Sequence, residues 1–328
     1  MKNQEKRRVQ RKIALFCIFV EFLLLVAFLF FYLPKIKISS ADSHNIADDR
    51  KNCLMFVGFS EDTSFLKRAY DGAIRAAEKY DSVVALHIQD SRTEPENFQN
   101  LMDFAYDSGA DGIIAYVPER MQFSRAAKTG GGTHVPLVFI GNRFDGTEQV
   151  SSIGGNYSEM GKKLADEVLE LWEDKMTLII FDSFSAHNSN SLSIRNAFIS
   201  GINSKGIKNF LSLDHSVNSY KTMLVTHLNR LNRLEKKVML VSLSEPDSLY
   251  AVQKISMLSY VRNTKVLGIG ENEILKKYLD TGIVSVLVSM DYEKMGEDAV
   301  AEIFEHKEDA RSVGTIPAGI KIIKAGGK

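Results

Sequence analysis

The sequence predicts an α/β protein of two doubly wound parallel-sheet lobes, preceded by one N-terminal transmembrane helix. Three observations carry this. Beyond residue 52, short apolar or β-branched runs alternate with amphipathic helical stripes, the pattern of βα units with parallel strands. That alternation starts afresh near residue 143, so the chain holds two such bodies. Residues 13–33 form an unbroken apolar run whose only ionisable group is Glu21.

In chain order, the apolar run would span roughly 31 Å as a helix, about the hydrocarbon thickness. Six basic residues in the first twelve (Lys2, Lys6, Arg7, Arg8, Arg11, Lys12) place that end inside the cytoplasm. Lys35 and Lys37 follow the run at once, which favours an uncleaved anchor over a signal peptide. Residues 34–51 are polar and aperiodic, a linker. The first strand is 54–59. Phe65, Leu66, Ala69, Tyr70, Ala73, Ile74, Ala77 and Tyr80 then stripe a helix. Strands follow at 83–88, 111–117 and 135–140. A helix carrying Leu101, Met102 and Ala105 precedes the second of these. A helical candidate (121–128) and a Gly130–Gly131–Gly132 turn precede the third. The second round begins with a short strand at 150–153 and a helix striped by Met160, Leu164, Val168 and Leu171. Strands come next at 178–181, 210–213, 238–243 and 265–269, with helices near 192–202, 220–231 and 247–258 between them. A helix over 271–280 stops at Thr281–Gly282. A strand at 283–288 follows, and Asp291 stands as N-cap of a last helix faced by Met295, Ala299, Val300, Ile303 and Phe304.

At 328 residues, 45% hydrophobic and 25% charged, the chain has globular composition. Beyond residue 12 it carries 35 basic against 40 acidic groups, a net of −5, and no basic face that would suit nucleic acid. Cys17 and Cys53 sit in unlike surroundings and do not suggest a disulfide. The seven histidines have no metal-ligand spacing, and Gly268–Ile269–Gly270 lacks the third glycine of a dinucleotide loop. Neither a metal, a cofactor nor a catalytic set is expected.

In open α/β sheets, ligands bind beyond the carboxyl ends of the strands. The residues there are Ser60, Asp62 and Phe65 after the first strand, Glu119 and Arg120 after the third, and Asn142 and Arg143 after the fourth. In the second round they are Asp182 and Ser183, then Ser244, Glu245 and Asp247, then Gly270, Glu271 and Met290. The set is polar and charged, with Phe65 and Met290 as apolar walls. Asp62, Asp182 and Asp247 suit helix caps as well as they suit a ligand.

The run GIG, TGIVSVLV and EKMG (268–296) resembles the closing segment of the type I periplasmic-binding-protein family, which holds sugar-binding proteins and the sensing cores of lac-repressor-like regulators. GADGIIAY with VPLVFIGN, and SSIGGNYSEMGKKLADEV, resemble its lobe-building segments, so the likeness covers about residues 52–325. It implies a hinge of three crossings near Asn142, Met290 and Ile316–Pro317. The lobes are then 52–142 with 290–316, and 143–289 with 317–328. It further implies that Arg195 lies open in the cleft, placed as it is at the start of a helix, where a cation gains nothing from the dipole. The implied protein is a membrane-anchored solute-binding protein outside the cytoplasmic membrane, closing on a small polar, sugar-like ligand. Its partner is a membrane sensor kinase or an ABC-type permease. The sequence departs from the sugar-binding pattern at Gly155, Ser244, Gly270 and Met290, where the family carries Asp, Asn or Gln; Glu271 stands beside the missing acid. Those departures keep open a module that has lost its ligand and binds other proteins.

Overall fold

The computed structural model describes residues 51–59, 63–90, 96–117, 135–141, 150–183, 189–214, 219–309 and 314–326. The expected anchor, the linker up to residue 50, the 121–128 helix and the glycine turn lie outside these. Among the described residues no helix is long and apolar enough to cross a membrane. The body described here is Asn52–Lys328.

The first lobe opens with β1 (Asn52–Phe59), α1 (Thr63–Glu78), β2 (Ser82–Gln89), α2 (Glu96–Asp107), β3 (Gly112–Val117), β4 (Leu137–Gly141) and β5 (Ser151–Gly154). The second holds α3 (Tyr157–Leu171), β6 (Thr177–Asp182), α4 (Ser189–Ser204), β7 (Phe210–Asp214), α5 (Tyr220–Arg233), β8 (Val238–Ser242), α6 (Glu245–Met257), β9 (Thr264–Ile269), α7 (Glu273–Asp280) and β10 (Val286–Met290). The chain then returns to the first lobe for α8 (Tyr292–Asp309) and β11 (Thr315–Pro317), and ends in the second with β12 (Ile320–Lys324). The sheets run β11-β5-β4-β3-β1-β2 and β12-β10-β9-β8-β6-β7, six strands each. Every pairing is parallel except β10 with β12.

Strand alternation divides the core. Leu54, Phe56, Ile114, Val138 and Ile140 face α1 and α8, while Val57, Phe59, Ile113 and Phe139 face α2. In the second sheet Leu178, Ile180, Met239 and Val241 face α3 and α4. Ile179, Phe181, Leu240 and Leu287 face α5, α6 and α7. The helix pair in each lobe crosses at glycine. A Cβ on Gly72 would stand 2.0 Å from Glu293 O, one on Gly296 1.8 Å from Ala69 O, and one on Gly161 2.2 Å from Ile194 O.

Two boundaries differ from the sequence reading. The strand expected to open the second lobe is β5, and it pairs with β4 in the first sheet (Ile140 beside Ile153). Ile153 completes the first lobe's core, so the chain leaves that lobe at 155–156 and not near Asn142. The other crossings are at Asp291 and 318–319. The three lie side by side: Ala318 N–H donates to Gly154 O (2.8 Å) and Asp291 N–H to Gly319 O (2.8 Å). The strand expected from 283 begins at Val286, because Gly282 is left-handed (φ 74°) and Ile283 and Val284 N–H both close α7 by donating to Tyr278 O.

Candidate functional site

Each sheet reverses its strand order once, between β1 and β3 and between β6 and β8. Crevices at such reversals hold ligands in open α/β sheets. Phe59 and Val117 end the strands at the first. Asp182, Ser183 and the β8–α6 turn stand at the second.

Six of the expected site residues, Ser60, Asp62, Glu119, Arg120, Asn142 and Arg143, lie outside the described residues. The other five are placed. Phe65, on the first turn of α1, meets the rings of Tyr116 and Tyr292, with centroids 4.6 Å away in both cases. Met290 is buried in the core at the lobe crossing, because β10 is covered on both faces, and it offers no wall to a crevice. Ser244 is the N-cap of α6. Its Oγ accepts from Asp247 N–H (3.2 Å) and donates to Asp247 Oδ2 (2.8 Å), which ties off the helix start.

Arg195 is the seventh residue of α4, not its start, and its side chain is 18% exposed. Nη1 donates to Asp182 Oδ2 at 2.9 Å and Nη2 to Ser212 Oγ at 2.9 Å, with Asp214 Oδ2 3.7 Å away. The guanidinium fork therefore bridges the ends of β6 and β7. The open placement expected of it is not what is found, because the buried Asp182 carboxylate draws it down onto the sheet. Beside it Asp247, itself buried, accepts from Ser183 N–H (2.8 Å) and Ser183 Oγ (2.7 Å). Burial raises the Asp247 carboxyl above the ordinary Asp range, against the lowering effect of those donors, and neighbouring Asp182 adds to the rise.

Glu271 faces the other lobe. Its Oε2 accepts from Arg68 Nη1 of α1 at 2.9 Å, and its Oε1 lies 3.4 Å from Lys276 Nζ. The two partners in the first pair are 15% and 8% exposed. Arg68 also lies over the Tyr292 ring, 4.6 Å from its centre. Burial pushes the Tyr292 hydroxyl up to about 12. Gly270 shapes this turn. Its φ is +127°, and a Cβ there would stand 2.7 Å from Glu245 Cγ, while Glu245 Oε2 accepts from Glu271 N–H (2.9 Å). An acid at position 270 would have no room, and the acid one residue on binds the opposite lobe.

Arg68 and Tyr292 were not singled out from sequence. Arg68 lies one helical turn past Phe65 and so shares its face, which is a signal the spacing carried. Ser212 and Asp214, which hold Arg195, sit on a strand of their own and carry no such mark. Among the described residues no group of three acidic, His or Cys side chains could hold a metal.

A profile described as the periplasmic binding protein domain matches residues 54–309. A search of curated proteins finds no match. Solved structures share the fold. The arabinose-binding protein AraP of Geobacillus stearothermophilus superposes with a TM-score of 0.67 at 14% identity, over 84% of this chain and 97% of that one. The glucose-galactose-binding protein GanP of the same organism gives 0.63 at 14%, over 84% and 98%. XylFII in its complex with LytSN gives 0.60 at 19%, over 84% and 98%.

Proposed function

The chain belongs to the periplasmic binding protein family, and from that premise we propose that it is a solute-binding protein whose lobes close on a small polar, sugar-like ligand. The observation that carries this is the polar cluster at the β6–β8 strand reversal, built from Asp182, Ser183, Arg195, Ser244 and Asp247. Its donors and acceptors are fixed before any ligand arrives, which lowers the cost of ordering them on binding. The arabinose and glucose-galactose binders of the same fold support the sugar class. The reading includes no chemical step. We further propose that residues 13–33 anchor the protein in the cytoplasmic membrane with its lobes outside. A fixed membrane partner, either a sensor or an importer, would then read the closed state.

A ligand at a hundred times its dissociation constant stabilises by about 2.7 kcal/mol. A panel of pentoses, hexoses and polyols, screened by thermal melting of the full chain, should therefore contain compounds that raise the melting temperature by several degrees. One observation favours a second reading, a ligand-free interaction module: the charged groups best placed to hold a sugar, Arg195 and Glu271, already have protein partners. No shift across the whole panel would move that reading ahead.

A further inference from the structure

Four strands lie at the ends of the two sheets, and three are blunted against pairing with another chain. β11 has three residues and contains Pro317; β7 has five and ends in Asp214; β12 carries Lys321 and Lys324. β2 is different. It has eight residues, SVVALHIQ, with no charge and no proline, and among the described residues it pairs only with β1. Val83 and Leu86 are 48% and 41% exposed, on opposite faces of the strand. Each face continues onto an exposed apolar side chain of a neighbouring helix. Ile74 of α1 lies on the face that carries Val84, Leu86 and Ile88. Phe104 of α2 stacks on His87 (4.2 Å) on the other. Tyr70 Oη donates to the Val84 carbonyl (3.0 Å), which ties the strand to α1.

We propose that β2 is the seam of a homodimer, in which the β2 strands of two copies pair antiparallel and join their first sheets into one of twice the width. The occupant is a second copy because the strand is complementary to itself. A two-fold axis perpendicular to a sheet pairs residues of the same parity, since opposed residues must point to one face. Centred on Leu86, it sets Leu86 on Leu86, Val84 on Ile88, Ala85 on His87 and Val83 on Gln89. Of the charges that flank the strand, Asp90 then falls opposite Ser82. No like charges oppose each other at any position along the seam. The same axis turns Ile74 and Phe104 of each copy toward the seam, one pair above the sheet and one below.

The test uses the full chain purified in detergent, with Cys17→Ser and Cys53→Ser as background, and reads mass by sedimentation and by crosslinking. The wild type should weigh twice the 36.7 kDa of one chain. Leu86→Cys should form a disulfide-linked dimer on mild oxidation, whereas Ile74→Cys at the flank should do so far less. Leu86→Lys, which sets two ammonium groups face to face, should weaken association roughly a hundredfold. Its circular dichroism should stay that of the wild type, because the position is exposed in the single chain. A chain that is monomeric at every concentration overturns the proposal. So does a dimer indifferent to Leu86→Lys, which would be held elsewhere, for instance through residues 13–33. Capture of a different protein by Leu86→Cys in native membranes, without self-linked dimer, would also overturn it and give the strand to a foreign partner.

Discussion

Replacing Arg195 with alanine should unfold the second lobe more readily, even with no ligand present. Its guanidinium holds Asp182 at 2.9 Å and Ser212 at 2.9 Å and is largely shielded from water. Removing one partner of a buried ion pair costs about 3–5 kcal/mol, because the remaining charge stays desolvated. The residual exposure of Arg195 argues for the low end, about 3 kcal/mol. In a unit the size of the second lobe that corresponds to a fall in melting temperature of roughly 6–12 °C. Arg195→Lys keeps the charge but lacks the fork, so it reaches Asp182 or Ser212 and not both; about half the loss should remain. Arg195→Met with Asp182→Asn removes both charges and should recover most of it. The assay is urea unfolding without ligand of these variants, with wild type, Arg195→Met, Asp182→Asn and their combination read as a double-mutant cycle. Melting of Arg195→Ala within about 1 °C of wild type, or a coupling energy below about 0.5 kcal/mol, would refute the structural role. Arg195 would then belong to the open crevice, as the sequence suggested.

The remaining predictions use other contacts. Arg68→Ala or Glu271→Ala removes a charge-assisted bond between the lobes, so the scattering radius should rise and affinity for a bridging ligand should fall about ten- to hundredfold; an unchanged scattering profile would count against the latch. Gly296→Ala drives a methyl into the Ala69 carbonyl and should lower the melting temperature sharply, while Gly314→Ala, which meets nothing within 4 Å, should not. Asp247 holds its proton more tightly folded than unfolded, so its contribution to stability is full below the ordinary Asp range and is lost as pH rises through the raised value. Asp247→Asn can still accept from Ser183 and Ser244 and should flatten that part of the pH–stability curve. Tyr292, raised to about 12, contributes fully below pH 10 and loses that contribution between there and about 12; Tyr292→Phe should remove this alkaline decline.

The order of elements was legible because each is marked locally. The α1 stripe from Phe65 to Ala77 and the apolar runs of β1, β8 and β10 declare their periods within a few residues. Membership of a sheet is not local. The four residues of β5, SSIG, say strand but not which neighbours, so the first crossing was placed some dozen residues early. At the site, the polar ends of the strands could be read, but their pairings could not. Arg195 finds Ser212 on the next strand, and Arg68 meets Glu271 across 203 residues of chain. Gly270 reads as a missing acid in the sequence. In the structure it is the turn that lets Glu245 hold Glu271 in place.

Helix α8 reaches α1 from far downstream: Arg75 and Glu293 are 218 residues apart. Until α8 is made, the sheet face bearing Phe56, Ile114 and Val138 lacks one of its two covering helices, and the glycine crossing at Gly72 has nothing to cross. The first lobe is thus begun first and finished last, with the whole second lobe synthesised in between. Contacts of such long range slow folding and leave apolar surface open to chaperones in the interval. A stop just before residue 292 would release two incomplete bodies, one without α8 and β11, the other without β12.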